Sequence, residues 1–120
     1  MPGDFYKVNR NGRIAIHFKT DTSIRSANQV ALNPEQNYAW IMTLPNNLKT
    51  TRLRKISLND GSLITEVNQA EYLSPNDQPR NLSMPMSIDL KTENLWIYNA
   101  TDQKLIKLSP AGKNILTIPI

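Results

Sequence analysis

The chain contains no cysteine. That excludes disulfides, thiolate metal sites and a cysteine nucleophile, and it leaves the redox compartment open. Its one histidine, His17, falls late in a β-rich run beside Phe18. A lone imidazole without a placed carboxylate or nucleophile reads as structural or exposed rather than catalytic. No apolar run approaches the roughly 18 residues that a membrane span requires. The opening residues, MPGDFYKVNRNG, hold no apolar signal core. Aromatics are scarce: two Phe, two Trp and four Tyr give 120 residues few large core anchors. Eight prolines argue against long helices. A phosphate-binding glycine loop, a dinucleotide fingerprint, zinc-ligand spacing and a nucleophile elbow are all missing.

Charge is nearly balanced, with 14 Lys+Arg against 10 Asp+Glu for a net +4. The basic residues are scattered apart from Arg52, Arg54 and Lys55. Such a surplus suits solubility and is no nucleic-acid footprint, so nucleic acid is not an expected partner. Arg52-Leu53-Arg54-Lys55 alternates as a strand does and is expected at a solvated outer edge. Asn81-Leu82-Ser83 and Asn99-Ala100-Thr101 match the short glycosylation pattern.

What the chain does have is a repeat. FYKVNRNGRIAIHF from Phe5, LRKISLNDGSLITEV from Leu53 and LIKLSPAGKNILTI from Leu105 share one pattern. Each gives an apolar residue, a lysine two positions on, an aliphatic, a short turn with Gly, then a second β-rich run. Lys7, Lys55 and Lys107 align, as do Gly12, Gly61 and Gly112, at a period of about 50 residues. A tight antiparallel turn needs a residue that tolerates positive φ, and glycine does so without a Cβ clash. Two further segments, QVALNPEQNYAWIM and SIDLKTENLWIYN, precede the second and third hairpins. They predict a short aliphatic strand, a polar turn and an aromatic-rich strand carrying Trp40 or Trp96.

The repeating unit therefore reads as four strands. They are expected over 30–32, 38–42, 53–58 and 63–67, and again over 88–90, 95–98, 105–108 and 115–118. Residues 5–9 and 13–18 supply the last two strands of an earlier unit. Four short strands at this period predict an all-β fold of β-propeller blades, each a four-stranded antiparallel sheet. The organisation is half a blade over 5–18, a blade over 29–67 and a blade over 86–120. An all-β sandwich or small barrel is the competing architecture. Trp40 and Trp96 occupy equivalent blade positions, which points to packing between blades rather than ligand stacking.

LWIYNATDQKLIKLSPAGK, residues 95–113, resembles a blade segment of the NHL-type six-bladed propellers and their lactonase-like relatives. Trp96, Ile97, Asn99, Asp102, Lys104, Ile106, Leu108 and Gly112 carry the resemblance. Residues 39–62 resemble the same unit with a longer loop. The resemblance implies a ring of which this chain supplies about two and a half blades. A six-bladed ring would need about 300 residues. The expected partners are therefore the remaining blades, from the rest of a longer chain or from other subunits. A lone copy, with stacking faces exposed, is not expected to be a stable monomer.

Propeller connectivity would gather the long polar loops, 19–28, 43–51, 68–85 and 99–103, on one side. Binding groups usually sit on long loops held by a rigid scaffold. The candidate ligand face is Asn46, Asn47, Lys49, Tyr72, Asp77, Arg80, Asn99 and Asp102. The reading that follows is a binding or scaffolding segment without a cofactor, whose ligand is a protein, a glycan or a small molecule. The alternative implied by the resemblance is part of a lactonase- or hydrolase-type enzyme with a divalent cation at the central channel. Calcium would suit oxygen ligands such as Asn99, Asp102, Asn46 and Asn47. Asn and Asp are also the ordinary residues of turns.

Overall fold

A computed structural model describes residues 4–8, 10–19, 24–45, 52–73, 84–100 and 102–120. These residues are all-β apart from one 3-10 turn. Strands β1 (Asp4–Val8) and β2 (Ile14–Lys19) form an antiparallel hairpin. Strands β3 (Ile24–Asn33), β4 (Tyr38–Pro45), β5 (Arg52–Ser57) and β6 (Leu63–Val67) form a four-stranded antiparallel sheet in sequence order. We call it the middle sheet. A 3-10 turn at Gln69–Glu71 follows. Strands β7 (Met86–Ile88), β8 (Leu95–Asn99), β9 (Lys104–Leu108) and β10 (Asn114–Pro119) form the last sheet, again four antiparallel strands in sequence order.

The two four-stranded sheets repeat down to the residue. Trp40 lies opposite Lys55, and Trp96 lies opposite Lys107. Each lysine Nζ stands over its tryptophan ring, at 5.5 Å and 5.3 Å from the centroid. The first hairpin of each sheet closes with a left-handed residue, Asn37 at φ 57° and Glu93 at φ 63°. The second closes with glycine, at φ 78° for Gly61 and 86° for Gly112. Gly12, between β1 and β2, has φ 85°. All three glycines of the repeat thus fill the same conformational role, one that a Cβ would disfavour.

Three strands depart from expectation in ways that matter to the fold. β3 begins at Ile24, so residues 24–28 of the segment expected as a loop over 19–28 are strand. Polar RSANQ pairs with the end of β4 through register shifts at Ile24/Ser26 and Ala27/Gln29. Such bulges break the two-residue alternation by which a strand is recognised. β7 ends at Ile88 instead of starting there, because the Asp89 carboxylate accepts from Lys91 N–H at 3.0 Å and begins the turn. β5 is an interior strand, not a solvated outer edge: it pairs with β4 and β6, and Leu53 is fully buried. Arg52 forms a fork onto Glu66 of β6, at 2.6 and 2.9 Å.

The sheets bury unlike faces against each other. The middle sheet contributes Tyr38, Trp40, Met42 and Leu53, and the last sheet contributes Leu95, Ile97, Ile106 and Leu108. Neighbouring residues of a strand point to opposite faces. Trp96, Tyr98, Leu105 and Lys107 therefore stand on the far face of the last sheet, where they are half-buried. Ala39, Ile41 and Ile56, the equivalents of Leu95, Ile97 and Leu108, form a separate buried cluster on the other face of the middle sheet. The first strands of the two sheets, β3 and β7, lie beside each other.

Two hairpin turns of the last sheet latch onto the middle one. Tyr38 OH donates to Glu93 Oε1 at 2.9 Å, and Lys55 Nζ donates to Pro110 O at 3.1 Å. Burial pushes the Tyr38 phenol up; the Asn33 amide opposes this and Glu93 adds to it. Burial lowers the Lys55 ammonium, with the Glu93 carboxylate acting the other way. Gly112 sits in this latch. A Cβ built on it would stand 2.7 Å from Val67 Cγ2 and 3.7 Å from the Trp40 ring.

Candidate functional site

The meander order places the β3–β4, β5–β6, β7–β8 and β9–β10 turns at one end of their sheets and the β4–β5, β6–β7 and β8–β9 connections at the other. The Tyr38–Glu93 bond joins turn end to turn end. The segment after β6 and the connection between β8 and β9 accordingly meet at the opposite end.

There the 3-10 turn is started by Asn68, whose side-chain oxygen accepts from Ala70 N–H at 3.0 Å. The turn delivers Tyr72 into the core at 2% exposure. Asn99, at the end of β8, is wholly buried. Its Nδ2 donates to Tyr72 O at 3.3 Å and its Oδ1 accepts from Asp102 N–H at 3.2 Å. One amide thus ties the inter-sheet segment to the β8–β9 connection. With both ends engaged and no exposure, the Asn99 side chain has no room for a glycan in this fold.

Between the 3-10 turn and strands β9 and β10 of the last sheet lies a cleft of about 210 Å³. Glu71, Tyr72 and Leu73 line one side; Asp102, Lys104 and Ile106 line another; Asn114 and Thr117 of β10 complete it. Asn114 Nδ2 donates to Glu71 O and to Thr117 Oγ1, both at 2.9 Å. Lys104 Nζ lies 3.6 Å from Asp102 Oδ2. The cleft therefore offers carboxylates, an ammonium, a hydroxyl and backbone groups over a small apolar floor. Such groups can hydrogen-bond hydroxyl or amide groups. Among the described residues no three His, Cys, Asp or Glu side chains are grouped to hold a metal ion.

Of the residues singled out from the sequence, Tyr72, Asn99 and Asp102 come together here. Asn46, Asn47, Lys49, Asp77 and Arg80 lie outside the described residues. His17 is in β2, opposite Tyr6. Asn114 and Thr117 were not legible as site residues. They lie more than forty positions from the 3-10 turn, and only the fold of the segment after β6 brings the two together.

No protein-family model matches the sequence, and no curated protein matches it. The fold does resemble a solved structure, a protein of unknown function from Bacteroides caccae, at TM-score 0.57 and 10% identity. The similarity covers 96% of this chain and 38% of that one.

Proposed function

We propose that the chain is a scaffolding and binding segment of a β-propeller-type protein, resembling the NHL-type and lactonase-like propellers. Its four-stranded units stack around a common axis, and its ligand face is the end that carries the β6–β7 and β8–β9 connections. The observation that carries this reading is the unlike-face packing. The Trp40 face of one unit receives the Leu95–Ile97 face of the next, an arrangement that further units can continue in the same direction. The adjacency of β3 and β7, the first strand of each unit, supports an arrangement in which first strands converge on the axis. The remaining units come from the rest of a longer chain or from other copies.

The ligand, a protein, glycan or small molecule, docks at the Glu71–Asp102–Lys104 cleft. Glycan and peptide arrays probed with the labelled chain and with the Lys104→Ala and Asp102→Asn variants test this reading. Binding that weakens in both variants supports it. Binding indifferent to both places the ligand elsewhere and defeats the assignment of the face.

A further inference from the structure

The interface between the two sheets has two halves: an acceptor face and a seated turn. The acceptor half is Trp40 with Lys55 above it. The seated half is the turn Pro110-Ala111-Gly112, whose Pro110 carbonyl takes the lysine and whose glycine lets the turn lie against Val67 and Trp40. Both halves occur a second time in the same molecule, without their counterpart among the described residues. Trp96 with Lys107 above it repeats the acceptor on the far face of the last sheet. The turn Arg10-Asn11-Gly12 repeats the seated half: its glycine has φ 85°, and a Cβ there would meet nothing within 4 Å. Gly12 is exposed, whereas Gly112 is buried.

The geometry points to a second copy of this chain as the occupant of the Trp96–Lys107 face, seated by its own Arg10-Asn11-Gly12 turn. Lys107 Nζ donates to the partner's Arg10 carbonyl, as Lys55 donates to that of Pro110, and the Gly12 turn lies on the Trp96 ring. The contact is head to tail: the two surfaces differ, so each copy keeps one of each free. Apolar side chains beside the face are exposed on β10, among them Ile115, Leu116 and Ile118, and give the contact its hydrophobic margin. The inference rests on the stacking described under the proposed function and adds the partner and the contact.

The absence of native cysteine makes a clean test. In the double variant Lys107→Cys, Arg10→Cys, a short bismaleimide is expected to join copies into a ladder of dimers, trimers and larger species. Each single-cysteine variant gives monomer with a trace of dimer. Sedimentation velocity of the wild type is expected to show mass rising with concentration, and Trp96→Glu to hold it at the monomer. Monomer at every concentration together with no ladder overturns the inference. So does crosslinking that is as extensive in the single-cysteine variants. Circular dichroism and quenching of Trp40 are read on the same samples. If Trp40 is buried and the β signal intact, only the contact between copies has failed; if Trp40 is exposed, the stacking itself has failed.

Discussion

Lys55 spans two sheets: its Nζ lies 4.1 Å above the Tyr38 ring centroid in its own sheet and 3.1 Å from Pro110 O in the next. Replacing this contact with a chain of similar length but no charge removes both attractions. Lys55→Met is expected to lower stability by about 1 kcal/mol, the scale of a cation–π pair together with one exposed charged hydrogen bond. Lys55→Arg should recover part of it. Urea unfolding measures the difference; an unchanged midpoint in Lys55→Met would show that the latch contributes nothing.

The equivalent glycines separate backbone strain from packing. Gly12→Ala forces a Cβ into the left-handed region in open space and is expected to cost about 1 kcal/mol. Gly112→Ala adds the 2.7 Å approach to Val67 and should cost about 3 kcal/mol. Thermal melts of the two variants check the order. Equal losses would mean that the turn after β9 is not packed on the middle sheet.

Asn99 holds the β8–β9 connection to the segment after β6. Asn99→Ala leaves Tyr72 O and Asp102 N–H without that amide and is expected to cost about 2 kcal/mol. Hydrogen exchange should quicken at Asp102, whose N–H donates to Asn99 Oδ1, while the β8 amides stay protected. Uniform loss of protection across the sheet would instead assign Asn99 a general role in the core.

Acid should weaken the fold through two turn carboxylates. Asp60 is held below its usual 3.8 by the Ser62 hydroxyl and N–H, and Asp89 is held below it by Lys91 N–H. A carboxyl whose folded value is depressed contributes stability that is complete above its unfolded value. That stability is lost as pH falls through the folded one. The urea midpoint of the wild type should therefore drop more steeply below pH 3.8 than that of Asp60→Asn, Asp89→Asn. Parallel curves would show that the turns do not bind these carboxylates as described.

Much of the sheet framework was legible because its signals are local. Glycines demanding positive φ recur with aligned lysines at one period, and each glycine marks a hairpin without reference to the rest of the chain. The start of β3 was not legible, because bulges let a polar run pair where no alternation announces a strand. The interior place of β5 was hidden too, since Arg52 and Arg54 look like edge residues until Glu66 is seen across the strand. At the cleft, the sequence pointed to Tyr72 and Asp102 by their loops. Asn114 and Thr117 escaped because nothing local in β10 signals that the 3-10 turn folds over it.

Fluorescence quenching by acrylamide in single-tryptophan variants tests the unlike-face stacking most directly. Trp40 is buried between the sheets at 0% exposure, whereas its repeat equivalent Trp96 stands half-buried on the outer face. The account predicts that Trp96→Phe, which retains Trp40, emits at short wavelength and resists quenching. Trp40→Phe, which retains Trp96, should be quenched readily in dilute solution. Equal quenching of the two would contradict the account, because it would place both tryptophans in the same surroundings.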